Sequence, residues 1–162
     1  MWFSFCQWLQ QTPVGATVGN STWLFPAIEV VHLLGMTLLV GSIATFDLRL
    51  VGFLMPRQSV SRLARRLLPS AWVGFSVMLL TGTLLFASDA ARKYWDNPAF
   101  FVKMGLIFLS GVNVLVFHTT VYRRVEAWDE ASVIPLWARV AGGCSLFLWT
   151  GVIAAGRWIG FI

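Results

Sequence analysis

Ionisable side chains inside the long apolar stretches of the sequence are few: Glu29, His32, Lys103, His118 and Arg139. The first three stand out by their depth. Glu29 and His32 lie close together in the first stretch, and Lys103 lies near the start of the third. Ionisable groups inside a membrane-spanning helix are costly, so each of them is a candidate functional residue. A neutral imidazole can coordinate a metal ion or a haem iron, which makes His32 the candidate metal ligand.

Depth along the helices predicts which of these groups can meet. At 1.5 Å rise per residue, Glu29 and Lys103 both lie roughly 8–9 Å below the same predicted membrane boundary, and His32 lies about 14 Å below it. We therefore expect Glu29 and Lys103 to form a buried ion pair. Such a pair would either line a ligand site or proton path beside His32, or simply fix the register of the helices.

The sequence indicates less clearly which residue would be the second ligand of an iron bound to His32. His118 lies roughly 16 Å deeper than His32, so the two histidines cannot bracket one iron. Met78 in the second stretch has about the depth of His32, and His/Met ligation is a known haem arrangement. Met36, Met78 and Cys144 also offer soft ligands to Cu(I), although methionines in apolar helices usually fill gaps.

The composition indicates where these residues are held. The chain has 162 residues, of which 57% are hydrophobic and 12% are charged, against about 25% charged residues in soluble proteins. A soluble domain of this length needs far more polar surface to cover its core. The sequence thus predicts an integral membrane protein and excludes a soluble enzyme. The net charge of +5 is expected to reflect arginine placement at the membrane, with no nucleic-acid partner.

Four stretches are long and apolar enough to span a bilayer, which takes about 20 residues. They cover residues 23–46, 67–87, 98–120 and 136–156, with Pro69, Pro98 and Pro135 at the heads of the last three. Residues 2–10 are too short to span and rich in aromatic side chains, which predicts an interfacial helix. The predicted fold is an all-α, up-and-down bundle of four transmembrane helices in a single membrane domain, residues 1–162.

Arginines predict the orientation of the bundle. Five of them lie between the first and second stretches with one acid, Asp47, beside them: Arg49, Arg57, Arg62, Arg65 and Arg66. Basic loops stay in the cytoplasm, so both termini are expected on the periplasmic side of a bacterial inner membrane.

The sequence resembles an uncharacterised family of small bacterial four-helix membrane proteins. The resemblance extends over nearly the whole chain and rests on Trp23-Leu24-Phe25-Pro26, Glu29, His32, Asp47-Leu48-Arg49-Leu50, Asn97-Pro98-Ala99-Phe100, Lys103 and His118. More distantly, the order of His, Gly and Arg in the first helix and of Lys then His in the third is similar to that of CopD copper-resistance proteins. It is also similar to HemJ-type protoporphyrinogen oxidases, which bind haem b.

The distant resemblance implies His32 as an axial haem ligand and Lys103 as a neighbour of the porphyrin that meets a propionate. The sequence departs from the HemJ-type pattern after Arg49, where that group tends to carry a further histidine.

Together these residues favour a b-type-cytochrome-like or porphyrin-handling membrane protein. It would bind one haem b through His32, with Glu29, Lys103 and Met78 lining the site, and would transfer electrons through the iron. The alternatives are a CopD-type copper-handling protein and a non-catalytic structural or accessory subunit. The expected partners are the lipid bilayer, a membrane or periplasmic redox protein, and further copies of the chain. The sequence leaves open whether the protein is an enzyme.

Overall fold

The fold of the chain is all-α, as predicted. A computed structural model describes residues 1–55, 57–129 and 134–161, and no strand occurs among them. The helices are α1 (Trp2–Gln11), α2 (Pro13–Asn20), α3 (Leu24–Val51), α4 (Val60–Asp89), α5 (Pro98–Val116) and α6 (Leu136–Trp158). A π-helical turn, Ala90–Tyr94, prolongs α4, while α5 is prolonged by a π-helical turn, Phe117–Val121, and a 3-10 helix, Tyr122–Ala127.

Four of these helices are long and apolar enough to cross a membrane, which confirms the predicted number of spans. They are α3, α6, and α4 and α5 with their extensions. Only 11% of the most apolar part of α5 and 33% of that of α6 is buried within the protein. The remaining apolar surface is what a multi-pass membrane protein presents to lipid.

The four long helices pack side by side in the order α4, α3, α6, α5. α3 contacts α4 on one side and α6 on the other, and α5 contacts α6. We call the end of the bundle that carries α1, α2 and the C-terminal end of α6 the termini end, and the opposite end the loop end. At the termini end α4 and α5 also meet, because Phe86 and Phe100 stack with ring centroids 5.3 Å apart.

Two glycines bring α3 and α4 into backbone contact. A Cβ on Gly74 would lie 2.6 Å from the backbone nitrogen of Leu39 and 2.9 Å from the carbonyl oxygen of Gly35, which is closer than real Cβ atoms approach. Small residues permit such crossings between membrane helices. Gly35 therefore makes room for a neighbouring helix at this point.

The N-terminal segment contains one helix more than predicted. α1 matches the expected interfacial helix, and Thr12 then ends α1 and begins α2, since its hydroxyl donates to the carbonyl oxygen of Leu9 and accepts from the backbone N–H of Gly15. α2 lies against the end of α4, where a Cβ on Gly15 would come within 2.9 Å of the Ala87 carbonyl oxygen. This close approach requires glycine.

The helices extend beyond the predicted spans at the loop end. α3 continues to Val51 and ends at Gly52, whose φ of +92° suits glycine. α4 begins at Val60 with Ser59 as its N-cap, so Pro69 lies inside the helix and does not head it. The reason is that charged side chains are tolerated in a helix at the membrane surface, where hydropathy no longer marks the boundary.

Asp129 joins the two connections at the loop end. Its carboxylate accepts hydrogen bonds from the hydroxyls of Ser59 (2.7 Å) and Ser61 (2.6 Å) and from the backbone N–H of Ser61 (2.7 Å). Partial burial raises the pKa of Asp129, but these bonds and the nearby charge of Arg65 outweigh it, so the pKa is lowered overall. The carboxylate thus holds the start of α4 against the segment that follows α5.

Candidate functional site

His32 on α3 is held by a hydroxyl of α4. Its Nδ1 lies 2.8 Å from Oγ1 of Thr81, and the same Oγ1 lies 2.6 Å from the carbonyl oxygen of Val77. Two oxygens approach this closely only with the hydroxyl proton between them, so Thr81 donates to Val77. Nδ1 of His32 must then carry its proton and donate to Thr81. The lone pair of Nε2 is left available.

The adjacent residue of α4 shapes the space around the imidazole. A Cβ on Gly82 would lie 3.2 Å from Cε1 of His32, which is tighter than most such contacts in proteins. Any larger side chain at this position would displace the ring. Thr81 and Gly82 therefore orient His32 together.

Lys103 on α5 approaches this site from the other pair of helices. It lies near enough to His32 for the two side chains to interact electrostatically. Its side chain runs against Gly156 on α6, where a Cβ would lie at an ordinary contact distance of 3.5 Å from Nζ of Lys103. The structure thus brings His32 and Lys103 together, with a residue from each of the four long helices around them.

This polar layer lies between an aromatic and an aliphatic layer. Towards the termini end, Phe86 and Phe100 stack with their planes 4° apart, and Tyr94 packs against both. Towards the loop end lies a buried cluster, which we call the apolar cluster: Leu39, Ala71, Trp149 and Val152. The polar groups of the site are therefore confined to a narrow band across the bundle.

Glu29 does not join this band. Its side chain is exposed and makes no ion pair with Lys103, in contrast to the expected buried pair. It interacts electrostatically with Tyr94. As a result, the ammonium of Lys103 makes no ion pair within the described ranges of the chain.

The other sequence candidates are dispersed. Met78 is half-buried and packs against the apolar cluster, and Cys144 is exposed. His118 donates from Nδ1 to the carbonyl oxygen of Val114 and contacts the ring of Tyr122 near the loop end. Across residues 1–55, 57–129 and 134–161, no group of three or more His, Cys, Asp and Glu side chains is placed to hold a metal ion.

Thr81 was not singled out as a functional residue by the sequence. The predicted second span ended at residue 87, whereas α4 and its extension continue to Tyr94. His32 instead meets Thr81, which lies three residues, about 4.5 Å, from Met78 towards the termini end. A hydroxyl one turn from Met78 in a mostly apolar helix was the signal that the sequence offered.

The chain belongs to a family of unknown function, DUF6644, whose model matches residues 5–162. Comparisons with curated proteins and with solved structures find no match. The expected membership of an uncharacterised family is therefore confirmed, while no link to the CopD or HemJ-type groups is found.

Proposed function

We propose that this member of a family of unknown function binds one haem b through His32 and acts as a membrane electron carrier. The observation that carries the proposal is the bond from Nδ1 of His32 to Thr81, which leaves Nε2 available inside a membrane helix. Haem-ligating histidines need that tautomer.

The residues around His32 fit the chemistry of such a group. Nε2 of His32 would hold the iron, and the ammonium of Lys103, which has no ion pair in the described structure, would offer a positive charge to a propionate. Gly82 keeps side chains away from the imidazole, and Lys103 packs beside Gly156. Met78 packs against the apolar cluster on the helix that accepts the hydrogen bond from Nδ1 of His32, so we do not propose it as a second ligand. Glu29 stays the proposed acid at the edge of the site. When bound, the haem would supply one-electron chemistry.

The protein's own contribution is orientation and insulation. The hydroxyl oxygen of Thr81 accepts a hydrogen bond from Nδ1 of His32, and this bond fixes the direction in which Nε2 points. Hydrogen bonding at Nδ1 also raises the basicity of the opposite nitrogen. The stacked rings of Phe86 and Phe100 separate His32 and Lys103 from the surface at the termini end.

The proposed setting is the inner membrane of a bacterium, with the termini end on the periplasmic side. It rests on the arginines at the loop end, of which Arg57, Arg62, Arg65 and Arg124 are exposed. The termini end, near which His32 lies, would then face a membrane or periplasmic redox partner. Copies of the chain would associate through their lipid-facing surfaces.

Absorption spectra test this function. Protein expressed with excess haem and purified in detergent should show a Soret band and a reduced-minus-oxidised difference spectrum. His32→Ala should abolish both, whereas His118→Ala, which removes the histidine near the loop end, should leave them unchanged. A wild-type protein without a Soret band, or His32→Ala protein that retains it, would refute the proposal.

Copper handling is the second proposal, because Met36 lies one helical turn from His32 on the same helix and is also half-buried. Metal analysis of the same preparations separates the two. Stoichiometric copper that His32→Ala removes would establish the copper site. If His32→Ala changes neither haem nor copper content, the protein is a structural or accessory subunit.

A further inference from the structure

A second polar site lies between α3 and α6, nearer the loop end. A cavity of about 60 Å³ opens there among mainly aliphatic side chains. Two buried polar atoms among its lining residues have no hydrogen-bond partner: Oδ2 of Asp47 and Nε1 of Trp149. Asp47 is 5% exposed and Trp149 is 8% exposed. Buried polar atoms in proteins are nearly always hydrogen-bonded, so these two require an explanation.

The position of the carboxyl group is fixed by α6. Ser145 on α6 interacts with the Asp47 side chain, and Oδ2 of Asp47 has no hydrogen-bond partner. Gly142 keeps the helices close, because a Cβ there would lie 3.0 Å from the carbonyl oxygen of Asp47. The third polar residue at the cavity, Thr150, already donates its hydroxyl proton to Leu146.

The two open atoms define the chemistry of the ligand. Oδ2 is an acceptor and the indole N–H is a donor, so one group that both donates and accepts can satisfy them. A bare cation would be repelled by the indole N–H, and a bare anion would be repelled by the carboxylate. A hydroxyl-bearing molecule has both capacities. The cavity of about 60 Å³ is large enough to hold a water molecule.

We propose that Asp47 and Trp149 form a buried hydroxyl-binding site whose natural ligand is water. The site is separate from that of His32, since Asp47 lies fifteen residues further along α3, about 22 Å at 1.5 Å per residue. Thr150 and Ile153 line the cavity and are exposed on the membrane-facing surface. A small alcohol arriving from the bilayer has the same chemistry as water and could enter by that side.

Nuclear magnetic resonance of the full chain in detergent, with ¹⁵N-labelled tryptophan, tests the site. Trp149→Phe identifies the indole resonance of Trp149. In the wild type this resonance should show a dipolar cross-peak to water, distinguished by its sign from proton exchange. Asp47→Asn should keep the cross-peak because the amide oxygen still accepts, and Asp47→Leu should abolish it.

Ethanol is the probe that tests whether a small alcohol from the bilayer can occupy the site. Cross-peaks from its methylene protons to the Trp149 indole would show that an alcohol enters, whereas a water cross-peak that ethanol does not displace would identify water as the ligand. A wild-type Trp149 indole with neither cross-peak would overturn the proposal without any variant at Asp47. A water cross-peak that persists in Asp47→Leu would also overturn it. Trp72, which is 66% exposed on α4, is the internal control for water at the detergent surface.

Discussion

Replacement of Gly74 by alanine tests whether the α3–α4 crossing holds the bundle together. The new Cβ would lie 2.6 Å from the Leu39 nitrogen and 2.9 Å from the Gly35 carbonyl oxygen. Both are backbone atoms, so no side-chain rotation can relieve the contact. To reach an ordinary separation of 3.4 Å, the two helices must move apart by about 0.8 Å, a gap that forfeits a quarter to a half of each packing contact.

The expected cost follows from this displacement. Overpacking a well-packed interior typically costs about 1–3 kcal/mol. Alanine also stabilises a helix by about 1 kcal/mol relative to glycine, and this gain partly hides the cost. Gly105→Ala on α5 provides the matched control, because a Cβ there has no atom within 4 Å. The difference between the two variants should therefore equal the packing cost, about 1–3 kcal/mol.

The measurement is the free energy of unfolding in mixed micelles, followed by circular dichroism as the denaturing detergent increases. Gly74→Ala should unfold at a lower denaturing fraction than the wild type, and Gly105→Ala at the same or a higher one. If the two variants agree within about 0.5 kcal/mol, the range of neutral surface substitutions, α3 and α4 do not cross as described and the reasoning fails.

Further predictions concern the haem site, acid stability and topology. Thr81→Val should weaken haem binding by about 10–100-fold, and Thr81→Ser should restore it, as measured by Soret titration. Because the native pKa of Asp129 is lowered, its carboxylate stabilises the fold above the unfolded value of about 3.9 and loses this effect as pH falls through the native pKa. Thermal unfolding should therefore show an acid-induced decrease in midpoint that Asp129→Asn diminishes; an equal decrease in both proteins would contradict this role. In a background without native cysteines, an impermeant maleimide added to intact cells should label Gln11→Cys but not Arg124→Cys, and the reverse pattern would invert the predicted orientation.

The number and type of helices could be predicted because a bilayer demands long apolar segments. Their ends could not, since Arg62, Arg65 and Arg66 lie inside the first turns of α4, where hydropathy has already fallen. α2 was missed for a different reason. Its sequence contains Pro13, Gly15 and Gly19, a composition that does not favour a helix by itself, and its packing against α4 supplies the stabilisation.

Depth and rotation contributed unequally to the prediction of the site. The rise per residue fixes depth, which is why Lys103 was expected level with Glu29 and about one turn from His32. Rotation about the helix axis depends on packing, and α3 is apolar around its whole circumference, so its sequence does not reveal which face is buried. Glu29 lies about 60° from His32 around α3, and this angle leaves its side chain exposed.

Asp47 shows how one misplaced boundary can conceal a site. With the first span ending at residue 46, Asp47 was assigned to an arginine-rich loop, where an acid needs no special partner. Because α3 continues to Val51, the carboxyl group is instead buried against α6. Trp149 then belongs to two regions, because its ring packs in the apolar cluster that borders the His32 band and the residue also lines the cavity beside Asp47. Replacing Trp149 with phenylalanine therefore removes the indole N–H near Asp47 while preserving most of the apolar packing between the two regions.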